Sequence, residues 1–183
     1  MPHALCRCKP EKLIQLKKVS ARHLFAYEGE LAKGLIYKLK RKNLSSLQKF
    51  FARECASLAR EELRAGGDYV ISFAPRAVSG IREYGFDQAE LLARGAAKEL
   101  CLPFEKVFVR KRGANVQQKA LGAKQREENA QSAFELCEGA PLSGKRLILF
   151  DDVTTTGSTA KRLCELASEA GAEKILFISA AKT

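Results

Sequence analysis

No apolar run in this chain approaches the roughly 20 residues that a bilayer crossing needs; the longest, such as Leu147 to Phe150, are far shorter, which excludes a membrane-spanning helix. The opening residues MPHALCRCKPEKL carry no apolar stretch of the kind that marks a secretory signal, so a cytoplasmic location is expected. There is no spaced Cys-x-x-Cys pair. Apart from Cys6 and Cys8, the cysteines (Cys55, Cys101, Cys137 and Cys164) are scattered singly, which fits reduced thiols and not a disulfide framework. His3, Cys6 and Cys8 offer three ligands, whereas a closed zinc site takes four, usually from two spaced pairs. Zinc is therefore not expected. Internal repeats and low-complexity linkers are also lacking, so 183 residues with 46% hydrophobic content read as one globular domain with at most a small appendage.

What the chain has in excess is positive charge, +11 in all, and it is unevenly placed. Residues 1–64 hold 15 Lys/Arg against 6 Asp/Glu, a net of +9, while residues 65–183 hold 17 against 15, a net of +2. Such asymmetry suggests a polyanionic partner bound in a salt-dependent way. Solvated lysine faces on amphipathic helices fit the same numbers. Phe25, Tyr27, Tyr37, Phe50 and Phe51 allow base stacking in this region without specifying it.

Periodicity divides the chain into strands and helices. Residues 29–41 place Leu31, Leu35, Ile36 and Leu39 at helical spacing. A second helix is expected over 45–64, burying Leu47, Phe50, Phe51, Cys55, Leu58 and Leu63 and stopping at Gly66-Gly67. Tyr69 to Phe73 reads as a short buried strand closed by Pro75. A third helix follows from about Asp87, its expected N-cap, to Leu100, with Leu91, Leu92 and Leu100 toward the core. Lys106 to Val109 and Arg146 to Phe150 read as further strands, 161–169 as a helix ending at Gly171, and 174–179 as the last strand. Between 110 and 131 lies a long polar, basic stretch of the sort that forms a functional loop or stays disordered. Alternating strands and helices predict an α/β fold with a mostly parallel sheet flanked by helices, preceded by a basic, helical N-terminal region.

One segment carries chemistry. In RLILFDDVTTTGSTAKRL a buried strand delivers Asp151 and Asp152 to its C-terminal edge, where open α/β sheets place their ligands. Val153, Thr154, Thr155, Thr156, Gly157, Ser158 and Thr159 then form a hydroxyl-rich loop that opens a helix. Free first-turn N–H groups, hydroxyls and the helix dipole together make an anion cradle, and Gly157 permits close backbone approach. Two carboxylates beside such a cradle make sense if they face a sugar diol or a bridging Mg²⁺. A ligand with a phosphate at one end, hydroxyls in the middle and a metal-associated group beyond fits this pattern, and 5-phosphoribosyl-1-pyrophosphate (PRPP) is such a compound.

Four apolar residues, two acids and a Thr-rich loop with glycine resemble the PRPP-binding motif of type I phosphoribosyltransferases. Tyr84-Gly85-Phe86-Asp87-Gln88-Ala89-Glu90-Leu91-Leu92-Ala93 resembles the corresponding signature of the competence protein F (ComF) family, within that superfamily. Gln118, Leu121, Arg126, Asn129, Ala133 and Phe134, and further upstream Tyr27, Gly29, Leu39 and Lys40, match other parts of that family's pattern. The resemblance covers residues 25–181, leaving 1–24 as an N-terminal segment before a phosphoribosyltransferase-like domain at 25–183. It implies that Asp151 and Asp152 hold the ribose hydroxyls directly or through Mg²⁺, and that 154–159 cradles the 5-phosphate. Arg76 and Arg82 are then candidates for stabilising the departing diphosphate. Arg110, Lys111, Arg112 and Arg126 belong to a basic lid that closes over the site. The family resemblance further implies natural transformation: handling of single-stranded DNA with a helicase partner at the cytoplasmic face. A phosphoribosyltransferase with an unidentified acceptor, a DNA-handling accessory protein and a PRPP sensor without turnover all fit.

The departures are specific. Tyr84 stands where the family has arginine, Asp87 where it has asparagine and Asn115 where threonine is usual. Ser72-Phe73-Ala74-Pro75 replaces a Val-Pro-rich strand end, and of the family's common four-cysteine zinc module only Cys6 and Cys8 have counterparts.

Overall fold

The computed structural model describes residues 13, 16, 18–41, 45–111 and 132–183. Four strands form one parallel sheet in the order β1-β6-β5-β2: β1 (Val19–Ala26), β2 (Tyr69–Phe73), β5 (Arg146–Thr154) and β6 (Lys174–Lys182). Every pairing in it is parallel. Helices α1 (Gly29–Arg41), α2 (Ser45–Leu63), α3 (Val78–Tyr84) and α4 (Gln88–Leu100) lie between β1 and β3, and α5 (Ser158–Glu169) joins β5 to β6. Two three-residue strands, β3 (Phe108–Arg110) and β4 (Phe134–Leu136), pair antiparallel as a separate ribbon.

The sheet is covered on both faces, as parallel sheets are. On one side Ile148 and Phe150 of β5 and Leu176 and Ile178 of β6 share a buried cluster with Phe51, Cys55, Leu92 and Ala96 of α2 and α4. On the other, Leu147, Leu149, Ile175 and Phe177 pack with Leu163, Cys164 and Ala167 of α5 and with Phe108 and Phe134 of the ribbon. Helices α2 and α4 approach closely: a Cβ at Gly95 would lie 2.5 Å from the Ala52 Cβ. An added methyl at that contact overpacks a close-packed interior.

The expected elements are present, with four corrections. The division expected at residues 24 and 25 falls inside β1, whose parallel ladder to β6 begins at Val19. The strand expected at 106–109 lies at 108–110 and joins the ribbon, not the parallel sheet. Phe50, expected in the core, is 41% exposed and meets Phe51 edge-on at 5.6 Å; the helix turns about 100° per residue, and it is Phe51 that faces the sheet. Finally, β5 does not stop at Phe150. It stays paired with β6 through Thr154, so both aspartates lie on the strand itself.

Candidate functional site

Asp151 and Asp152 are consecutive residues at the C-terminal end of β5, close enough to act on each other's charge while making different contacts. Asp151 has the parity of Leu147 and Leu149, on the α5 side, and it lines a cavity of about 90 Å³ there. Asp152 has the parity of Ile148 and Phe150, on the side of α2 and α4, where its Oδ2 lies 3.5 Å from Lys40 Nζ of α1. The acidic pair is thus one sequence feature shared between two environments. Burial, and next the charge of Asp152, hold the Asp151 carboxyl well above the usual carboxylate range; Asp87 adds to this and Lys40 opposes it.

The cavity on the Asp151 side is the loop at the start of α5. Gly157 caps that helix at φ 80°, a left-handed conformation that costs glycine little, and its carbonyl accepts the first helical bond from the Lys161 N–H at 2.8 Å. Thr156 Oγ1 and Ser158 Oγ lie 3.0 Å apart across the turn. The wall opposite is the ribbon: Arg110, directly across from Phe134 in the β3–β4 pairing, holds its guanidinium 5.1 Å over that ring. Two polar atoms of the lining residues are buried with no hydrogen-bond partner among the described residues, Thr154 Oγ1 and Arg110 Nε. Burial also pulls the Arg110 guanidinium below its usual range. Orphaned polar groups of this kind cost free energy that a bound anion would restore.

The Asp152 side is internally satisfied. The Arg76 N–H donates to Asp87 Oδ2 at 2.7 Å, and Asp87 also accepts from the Ala89 and Glu90 N–H groups at 3.0 and 3.4 Å, capping α4 as expected. Burial raises the Asp87 carboxyl, against these bonds. The Arg76 guanidinium donates to Gln88 Oε1 and lies 4.6 Å from the centre of the Tyr84 ring. Buried Gln88 passes its own amide N–H to the Lys40 carbonyl at 2.6 Å.

The expected site residues therefore fall into three groups. Asp151, Val153, Thr154, Thr155, Thr156, Gly157, Ser158 and Thr159 share one cavity with Arg110. Asp152 and Arg76 lie on the α4 side, joined through Lys40 and Gln88. Arg82 is exposed on α3, and Lys111 is exposed and pairs with Glu135 at 3.3 Å. Arg112 and Arg126 lie outside the described residues. Lys40 and Phe134 were not foreseen as site residues: α1 reads locally as an amphipathic basic helix, and Phe134 as ordinary core.

For a metal, the described residues offer no convergence of three or more His, Cys, Asp or Glu side chains. The donor set is the Asp151–Asp152 pair, hard oxygen ligands that suit Mg²⁺, an ion that keeps much of its shell for water and ligand phosphates. The raised Asp151 carboxyl points the same way, since a cation would relieve the repulsion between the two acids. The pair fits a Mg²⁺ shared with a ligand, not one caged by protein.

A parallel sheet with helices on both faces is the fold of the type I phosphoribosyltransferases. The chain superposes on the solved allosteric regulatory enzyme of purine biosynthesis with a TM-score of 0.50 at 18% identity, over 78% of this chain and 30% of that one. By sequence it is similar to the DNA utilization protein YhgH of Escherichia coli K12, 32% identical over 91 residues, covering 50% of this chain and 39% of that protein. It is likewise similar to competence protein F of Haemophilus influenzae (34% over 92 residues, 50% and 40% of the two chains). A third relative is the adenine phosphoribosyltransferase of Kineococcus radiotolerans (38% over 99 residues, 54% and 50%). The matches thus cover half or less of each curated relative's length. No family model matches the chain. The resemblance to competence protein F read from the motifs agrees with these relatives, and no helix among the described residues is long and apolar enough to cross a membrane.

Proposed function

We propose that this protein binds PRPP with Mg²⁺ and transfers its phosphoribosyl group to an acceptor. The observation that carries the reading is the half-built anion site. Thr154 Oγ1 and Arg110 Nε are buried without partners among the described residues at the start of α5, Thr154 two residues on from the Asp151–Asp152 pair. A phosphate monoester in the cradle would accept from the first N–H groups of α5, from the hydroxyls of Thr154, Thr156 and Ser158, and from Arg110. Asp151 and Asp152 would then meet the ribose hydroxyls or a Mg²⁺ bound to them.

In the transfer, the bond from C1 to the diphosphate oxygen breaks with its electron pair leaving on the diphosphate, while the acceptor's nucleophilic atom bonds to C1. Mg²⁺ when bound supplies charge neutralisation for the leaving diphosphate. This chain's residues supply the positioning: the cradle fixes one end of the sugar, the carboxylates fix its hydroxyl edge, and Arg76 presents positive charge on the far side. Calorimetric titration with PRPP, with and without Mg²⁺, tests the reading. The expected result is magnesium-dependent binding that falls by more than about 100-fold in the Asp151→Asn/Asp152→Asn variant, from loss of charge-assisted contacts. Folded wild-type protein that ignores PRPP would overturn it.

A second reading, handling of single-stranded DNA in competence, has its own observation. A groove of about 730 Å³ between α2 and α4 is lined by Lys49, Arg53, Arg94 and Lys98 beside the exposed ring of Phe50. Cations with an aromatic platform are the chemistry of single-strand binding, and two relatives carry competence or DNA-utilization names. If the groove serves that role, Lys49→Glu/Lys98→Glu removes oligonucleotide binding and leaves PRPP binding intact; unchanged oligonucleotide binding excludes it.

A further inference from the structure

Glycine disfavours a helix interior relative to alanine, so a glycine held there calls for a reason. Two of this chain's helical glycines have one inside the molecule: a Cβ at Gly95 would strike Ala52, and one at Gly80 would strike the Arg76 side chain. Gly34, in the middle of α1, has none. It is exposed, and a Cβ there would meet nothing within 4 Å. At about 100° per residue, Leu31, Tyr37, Lys38 and Arg41 all fall within about 60° of it on the outer arc of the helix. Leu31 is 80% exposed and Tyr37 55%. Glu30, the one acid on that arc, is taken by Lys33 at 3.4 Å.

Arg41 carries this surface on to α3, its guanidinium 4.9 Å from the centre of the Tyr37 ring and 5.6 Å from that of Tyr84. Helix α3 buries none of its residues, and its Val78 and Ile81 stand exposed. Lys38, Arg41 and Arg82 have no carboxylate partner among the described residues, and α3 holds a single acid, Glu83.

We infer that the outer face of α1, continued by α3, docks an acidic amphipathic helix of a partner protein. That helix would cover the exposed apolar side chains with its own apolar stripe and bring its carboxylates to Lys38, Arg41 and Arg82, while Gly34 lets its backbone come close. Other occupants match the surface less well. A second copy of this chain, meeting the face about a two-fold axis, would set three unpaired cations against their own counterparts. A nucleic acid would satisfy the cations but leave Leu31, Val78 and Ile81 uncovered, because branched aliphatic side chains give bases no ring to stack on. The surface shares no lining residue with the α5 cavity or the α2–α4 groove, so the inference stands apart from both functional readings.

The probe is a fluorescein-labelled synthetic helix with leucines at heptad spacing and glutamates elsewhere, titrated with the full chain and followed by anisotropy. A peptide with lysine in place of glutamate and a single-stranded oligonucleotide serve as comparisons. The expected result is binding of the acidic peptide and not the basic one, weakened about tenfold by Ile81→Ser and by Arg41→Glu. Both positions are exposed, so the variants should fold, and thermal unfolding checks that they do. Gly34→Gln separates docking from helix stability: it should raise the melting temperature yet weaken the acidic peptide. An acidic peptide that fails to bind, or that binds wild type and all three variants alike, overturns the docking surface. Oligonucleotide affinity lost in Ile81→Ser overturns it in favour of a nucleic-acid face. A dimer in sedimentation equilibrium that Ile81→Ser dissociates overturns it in favour of a second copy.

Discussion

The two sides of the sheet's C-terminal edge differ in how their polar groups are satisfied. On the α4 side Asp152 has Lys40, Asp87 has three backbone N–H donors, and Arg76 has Gln88 and the Tyr84 ring. On the α5 side, Thr154 Oγ1 and Arg110 Nε have no partner among the described residues, and Asp151 carries a carboxyl raised by burial and by its neighbour. A folded protein tolerates such deficits only at modest number, because each costs roughly 1–3 kcal/mol. Their clustering around one small cavity is the difference on which the proposed ligand site rests, whereas the polar groups of the α4 side are partnered within the protein.

Changes on the deficient side are the sharpest way to break this contrast. Arg110→Gln is expected to weaken PRPP and ribose 5-phosphate alike by about tenfold or more, since both would present the same phosphate to the cradle. Calorimetry on the two ligands reads this directly, and selective loss of PRPP alone would move Arg110 to the diphosphate end. Thr154→Val removes a buried hydroxyl that has no partner among the described residues. It should cost about threefold to tenfold in PRPP affinity while leaving ligand-free stability unchanged or raised by up to about 1 kcal/mol. Lowered stability in urea unfolding would mean the hydroxyl already has a partner.

The smallest expected effect concerns Asp151. Its folded-state pKa is raised above the unfolded value, so the wild-type protein gains stability as pH falls and loses it as pH rises through the folded pKa. Asp151→Asn should therefore stabilise the ligand-free chain at neutral pH. That gain should vanish in acid, where the wild-type carboxyl is already neutral. Denaturant midpoints across pH check the sign; a variant less stable at every pH would show the carboxylate to be structurally required.

Much of the fold was legible locally. The α4 N-cap at Asp87, the buried strand at 69–73 and the strand–loop–helix around Asp151 each follow from a few adjacent residues, and each is present. Phe50 misled because two adjacent phenylalanines on a helix carry equal hydrophobic signal although only one can face the sheet. The 108–110 strand misled because three residues carry no preference between joining a parallel sheet and pairing with Phe134–Leu136.

By itself, then, the sequence determined the chemistry at the end of β5: two acids, hydroxyls, a glycine and a helix start in consecutive positions, whose relation is set by short-range backbone geometry. Only the tertiary structure decided that Asp151 lines the cavity at α5 while Asp152 pairs with Lys40 of α1, and that Arg110 borders the same cavity. Those facts depend on strand pairing and helix packing between residues far apart in the chain, where side-chain identity constrains contact only after the core has closed.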